Sequence, residues 1–107
     1  LIWQDNQDVG VIKQSYTDGQ AYCDNLAISG IEDWRLPSIK ELSSIVDDTA
    51  NDVYIYSEFR NKKGQFYFSN DRFKDNASSI WGVHFQIGFN LWVKANKKSY
   101  IRCVASL

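Results

Sequence analysis

The sequence predicts an α+β fold in which two short helices pack on antiparallel strands. Three observations predict it. Two helix-start signals, Thr17-Asp18-Gly19-Gln20 and Ser38-Ile39-Lys40-Glu41, both fall in the first half of the chain. In the second half apolar residues recur at every second position, as in Trp81, Val83 and Phe85, which is the period of a strand with one buried face. The length of 107 residues, with 44% hydrophobic and 15% aromatic content, fits one domain over residues 1–107 with one ring-rich core.

In chain order, residues 1–5 read as a short strand, residues 6–8 as a turn and residues 9–12 as a second strand. The Thr17/Gln20 pair has capping-box spacing and opens a helix reaching to about residue 28. Tyr22 and Leu26 share one face of it, beside Cys23 and Ala27, and Gly30 suits the left-handed residue that ends a helix. Residues 31–36 form an irregular link. Pro37 restricts the entry to the second capping box, and helix two runs over residues 39–46 with Leu42, Ile45 and Val46 inward. Residues 47–63 lack periodicity and read as a loop anchored by Phe59, closed by the turn signal Asn61-Lys62-Lys63-Gly64. Strands follow over residues 65–69, 79–86, 89–94 and 100–104. Phe66 and Phe68 face one way and Tyr67 the other. A polar loop is expected at residues 69–78, and turns at Gly88 and residues 95–99.

Charge and composition exclude several classes. Twelve basic and thirteen acidic residues give a net charge of −1, unlike a nucleic-acid-binding module. No apolar run is long enough for a membrane span. Two cysteines and one histidine are too few for a closed zinc site, so neither a metal nor a cofactor is expected. The chain begins Leu-Ile-Trp and contains no methionine, which suggests a fragment or a mature form. Cys23 and Cys103 stand far apart in sequence. Spacing alone leaves two readings: a disulfide in an oxidising compartment, or two buried thiols in a reducing one.

Several blocks together resemble a known family. They are Leu1-Ile2-Trp3-Gln4-Asp5, Ala21-Tyr22-Cys23 with Leu26, and Gly30-Ile31-Glu32-Asp33-Trp34-Arg35-Leu36-Pro37-Ser38-Ile39-Lys40-Glu41-Leu42. Later come Phe68-Ser69, Trp81-Gly82-Val83-His84-Phe85 with Gly88, and Arg102-Cys103-Val104. This pattern is similar to the C-terminal domain family of the Legionella collagen-like adhesin. Asp-Trp-Arg-Leu-Pro is its most specific piece. The resemblance implies a C-type-lectin-like fold, related in architecture to formylglycine-generating enzymes, with Cys23 bridged to Cys103. It also implies a domain excised from a larger surface or secreted protein, an extracytoplasmic address and recognition of sulfated glycans. Two departures limit it. The Glu-Pro-Asn, Gln-Pro-Asp and Trp-Asn-Asp motifs of calcium-dependent lectins are absent, and Phe68-Ser69-Asn70 stands where many members have Trp-Ser-Ser. No collagen-like repeat is present, so the oligomeric state is not carried over.

The candidate residues each have two readings. Trp34, Arg35 and Pro37 are assigned a structural role, with the arginine fork engaging a carboxylate; a ligand role is the weaker alternative. His84 could serve as a general base but is expected to be a surface or packed histidine. Asp47, Asp48, Asn51 and Asp52 offer oxygen ligands, yet their spacing is not that of an EF-hand loop. Eight of the twelve cations but two of the thirteen carboxylates lie beyond residue 61, a formal charge of about +6 against about −7 for the rest. Lys62, Lys63, Arg72, Lys74, Lys94, Lys97 and Lys98 are therefore candidate anion contacts, with Arg102 part of the same excess. The competing reading is that lysines at turns keep edge strands soluble. Tyr54, Tyr56, Tyr67, Phe73, Trp92 and Tyr100 could stack on sugar rings, and Trp92 is the best of them if Leu91 and Val93 face the core. The expected function is non-catalytic recognition of an anionic or sulfated glycan. The alternative is a structural or protein-interaction module with a surface protein as partner.

Overall fold

The computed structural model describes residues 1–106. The elements are β1 (Ile2–Trp3), a 3₁₀ turn (Gln7–Gly10), β2 (Lys13–Gln14), α1 (Tyr16–Asp24), β3 (Trp34–Arg35), α2 (Ile39–Ser43), β4 (Phe66–Phe73), β5 (Asn76–His84), β6 (Phe89–Lys94), β7 (Ser99–Tyr100) and β8 (Val104–Ala105). They build a three-stranded sheet, β1-β8-β3, and a five-stranded sheet, β2-β7-β4-β5-β6. The α+β class is as expected. All pairings are antiparallel except β4 with β7, which run parallel through Tyr67 and Tyr100.

Local chemistry explains where the elements depart from expectation. Residues 9–12 are not a strand: Val9 is buried inside the 3₁₀ turn, and only Lys13 and Gln14 pair. The cap of α1 is Ser15, whose hydroxyl accepts the Asp18 N–H, rather than Thr17. Gln20 is diverted from capping, because its amide bonds the Tyr16 hydroxyl and Asn70. The helix stops at Asp24, where Asn25 turns both its backbone N–H and its side chain to the Ala21 carbonyl. Gly30 does adopt positive φ, 78°, but with Ser29 at 53° it closes a tight turn between the paired Ile28 and Ile31. Two positive-φ residues in succession are what such a turn requires, so Gly30 ends no helix.

The link at residues 31–36 is ordered as β3, with Trp34 opposite Ala105 and Arg35 opposite Val104. In α2 the Ser38/Glu41 capping box forms in both directions. The helix ends at Ser43 rather than residue 46, because the Ser44 hydroxyl bonds back to the Glu41 carbonyl at 2.5 Å. Ile45 stays buried outside it. The polar stretch at residues 69–78 is not a loop but the far end of the β4–β5 hairpin. Ser69 spans its bulge, accepting the Asp71 N–H and donating to the Trp81 carbonyl. Polarity there reflects exposure, not absence of a ladder. The expected final strand divides into β7 and β8, which join different sheets.

Two cores flank the five-stranded sheet. Phe66, Phe68 and Ile80 meet Tyr16, Cys23, Trp34, Ile101 and Cys103 on one side. Tyr67, Val83 and Phe85 meet Val9, Leu42 and Ile45 on the other. Gly82 lets the sheet close between them, since a Cβ there would strike the Tyr67 carbonyl and the Phe66 ring. Cys23 and Cys103 form a disulfide with Cα atoms 5.7 Å apart, which decides between the two cysteine readings. No helix among the described residues is long and apolar enough to cross a membrane.

Trp34, Arg35 and Pro37 each make defined contacts. Trp34 is buried and donates its indole N–H to the Ile31 carbonyl. The Pro37 carbonyl accepts the Asn70 N–H, tying the entry of α2 to β4. Arg35 grips Glu41 through two bonds of 2.7 and 2.9 Å, and the same carboxylate accepts the Ser38 N–H. Those bonds, Arg35's foremost, hold Glu41 at about 2 against an ordinary 4.5.

Two predictions follow from this framework. Removing the disulfide with Cys23→Ala/Cys103→Ala frees a loop of 80 residues and lowers the free energy of unfolding by up to about 4.5 kcal/mol. Denaturant unfolding checks it, and a loss below about 1 kcal/mol would contradict it. A depressed carboxylate stabilises the fold above its unfolded value and loses that contribution as pH falls through the folded one. The stability difference between the parent and Glu41→Gln should therefore shrink as pH drops from 4.5 toward 2. A pH-independent difference in thermal midpoint would refute the assignment.

Candidate ligand-binding surface

The pairing of β2 with β7 brings together residues far apart in sequence. Lys13 lies opposite Tyr100, with its ammonium 5.5 Å from the ring centre. Tyr100 stacks in turn on buried Tyr67 at 5.5 Å, so its ring is held from below. Lys97 and Lys98 occupy the turn between β6 and β7. These groups line a groove of about 230 Å³ together with Phe66, Leu91, Val93 and His84. Among the described residues, three ammonium groups and no carboxylate line the groove. The His84 Nδ1 accepts the Gln86 N–H at 3.3 Å. In the neutral ring that leaves Nε2 as the donor.

The opposite face of β6 differs. Leu91 and Val93 pack toward the first core, so Trp92 points away and is 52% exposed, meeting the condition set for it by the sequence. Lys94, two residues on, shares its face. Tyr67, by contrast, is withdrawn from any stacking role. It is buried, donates its hydroxyl to the Val9 carbonyl, and is pushed up to about 12 by that burial.

Residues 1–105 match the family model of the Lcl C-terminal domain. The chain belongs to that family. The resemblance read from its sequence blocks is thereby met. No curated protein matches the chain.

In this Lcl C-terminal domain the remaining cations do not converge. Arg72 is held in its hairpin, with its guanidinium 5.1 Å from the Tyr16 ring centre and a 2.7 Å bond to the Ala77 carbonyl. Lys62 borders a separate hollow of about 320 Å³ with Asp47 and Asp52, beside exposed Lys63. Lys74 is exposed at the β4–β5 tip. Among the described residues no group of three metal-ligating side chains assembles, the acidic loop included.

Arg102 corrects the surface-charge reading most clearly. It is 1% exposed. Nη1 donates to the Gln4 carbonyl at 2.7 Å, Nη2 donates to the Asn61 carbonyl, and the guanidinium sits 4.6 Å over Phe59. Asp5 lies 3.5 Å away. Burial pushes Asp5 up, but the N–H groups of Arg60 and Asn61 and the Arg102 charge outweigh it and hold the carboxyl below its ordinary range. The charge of Arg102 is thus spent inside the fold and reaches no ligand.

Sequence reasoning named Lys97, Lys98, Tyr100 and His84 separately without bringing them together, and did not name Lys13. Those neighbours depend on β2–β7 pairing, for which two-residue strands leave no periodic signal. Internal and surface cations separate by mutation. Arg102→Ala should cost about 3–5 kcal/mol, because it strands buried carbonyls and Asp5, while Lys98→Ala should stay within about 0.5 kcal/mol. Urea unfolding of the two variants checks this, and equal effects would contradict it.

Proposed function

We propose that the domain is a non-catalytic recognition unit of a larger surface protein, with a C-type-lectin-like fold, and that it binds anionic or sulfated glycans outside the cytoplasm. The observation that carries this is the groove that Lys13, Lys97 and Lys98 line together with apolar and aromatic side chains, without a carboxylate among the lining residues. Sulfate oxygens take charge-assisted hydrogen bonds from ammonium groups. Held Tyr100 offers a ring to the C–H face of the sugar that carries the sulfate. Lysine is a flexible point charge, so such a site favours charge density over one fixed geometry. Neither lectin calcium motif occurs in the sequence, so the binding mode assigned is metal-free.

Other features support the remaining parts. The disulfide suits an oxidising compartment. Pairing of β1 with β8, and the bond from α1 to the segment before β8, bring the two ends of the chain together as a lectin-like fold requires. Both sulfurs are consumed in the bond, which removes thiol chemistry of the formylglycine-generating kind. The alternative, a protein-interaction module, draws on exposed Phe89 and Ile87 at the β5–β6 turn.

Affinity chromatography on immobilised heparin tests the proposal. The oxidised domain should be retained at low ionic strength and released as salt screens the lysines. Lys97→Ala/Lys98→Ala should elute markedly earlier, and Lys62→Ala/Lys63→Ala should elute with the parent. Absence of retention at low salt would remove the sulfated-glycan reading.

A further inference from the structure

The face of β4, β5 and β6 opposite Phe66, Leu91 and Val93 carries three rings, one from each strand. Phe73 stacks on Trp92 with centroids 4.6 Å apart and planes 17° from parallel. Trp81, directly opposite Trp92 in the β5–β6 ladder, meets it edge-on at 5.2 Å and touches Phe73 at 5.4 Å. Trp81 and Phe73 are half-buried. Trp92 remains 52% exposed.

This packing fixes the indole. One face is covered by the phenyl ring, one side meets Trp81, and the backbone is held in the hairpin ladder. Little rotamer freedom is left to lose when something lands on the open side. The area available is small: a half-open indole offers on the order of 100 Å², whereas a stable protein interface needs about 800 Å² from each partner. It suits one six-membered ring and is too small for a folded protein. Polar groups stand beside it. Lys94 shares the face of Trp92 and also borders an open hollow of about 460 Å³ with Ser78 and Asn96. A sugar has this pairing of properties, with an apolar C–H face and hydroxyls around its rim.

We propose that Trp92, backed by Phe73 and Trp81, stacks on the C–H face of an uncharged pyranose ring, while Lys94 and Asn96 bond hydroxyls of the adjoining sugar. This is a second carbohydrate site, on the sheet face opposite Phe66, Leu91 and Val93, and it does not rest on the anionic-glycan reading.

The experiment titrates the oxidised domain with cellohexaose, chitohexaose and mannohexaose at about 0.5 M NaCl, where charge contacts are screened. The readout is the indole N–H resonance of Trp92, assigned by its loss in Trp92→Ala. At least one hexasaccharide should shift it saturably. Trp92→Ala should abolish binding as followed by isothermal calorimetry, and Phe73→Ala, which frees the indole without removing it, should weaken binding about 3- to 10-fold. Lys97→Ala/Lys98→Ala should bind like the parent. If Trp92→Ala does not fold, Trp92→Phe takes its place and should bind more weakly than the parent. No shift from any of the three sugars at about 10 mM, a concentration that would populate even a millimolar complex, overturns the proposal. So does self-association that vanishes in Trp92→Ala, which would make the patch a contact between copies.

Discussion

The buried guanidinium of Arg102 is the constraint on which the arrangement depends. A cation removed from water needs acceptors close by, or its desolvation is not offset; both terminal nitrogens of Arg102 have them, while its buried Nε has none. Arg102 finds them on segments distant in sequence: the Gln4 carbonyl beside β1, the Asn61 carbonyl at the end of the long loop, the Asp5 carboxylate and the Phe59 ring. One residue therefore ties the start of the chain and the loop of residues 47–65 to its last turn. The next residue, Cys103, is bonded to α1. Because these neighbours need different surroundings, the chain crosses between the sheets at residues 101–103, and β7 is set against β2 and β4.

Side-chain hydrogen bonds continue around the same junction. The Gln4 side chain accepts the Cys103 N–H and donates to the Tyr22 hydroxyl and Asn6. Tyr22 in turn donates to Asp8. Burial and then that carboxylate push the Tyr22 phenol up to about 12, so it remains a donor across the physiological range. Such a network admits one arrangement of β1, α1 and β8 and penalises others, because any slip leaves a buried group unpaired. Function is carried downstream of it. The lysines of the groove belong to β2 and the β6–β7 turn, which the crossing at residues 101–103 places side by side.

What could be read from the sequence follows from how local each signal is. The Ser38/Glu41 box, the opposite facing of Phe66 and Tyr67, and the alternation through β5 and β6 are short-range patterns and all appear in the fold. The Asp-Trp-Arg-Leu-Pro block identified the family. Signals failed where a side chain was diverted by a distant partner. Gln20 left its cap for Tyr16 and Asn70, and polar residues at 69–78 were carried into a ladder by Ser69. The charge excess beyond residue 61 was real in number but misplaced in space, since Arg102 is internal and Lys62, Lys63, Arg72 and Lys74 sit apart from the groove. Two-residue strands such as β2 and β7 hold no period to detect, so the groove they build could not be foreseen.

The central functional claim is that anions are recognised at one place, the Lys13–Lys97–Lys98 groove, and not by cations spread over the strand half. Backbone and side-chain chemical-shift mapping of the oxidised domain with a sulfated heparin tetrasaccharide addresses this directly. The account predicts saturable shifts concentrated at Lys13, His84, Lys97, Lys98 and Tyr100. Shifts centred on the turns bearing Lys62, Lys63 and Lys74, with the groove unmoved, would contradict it.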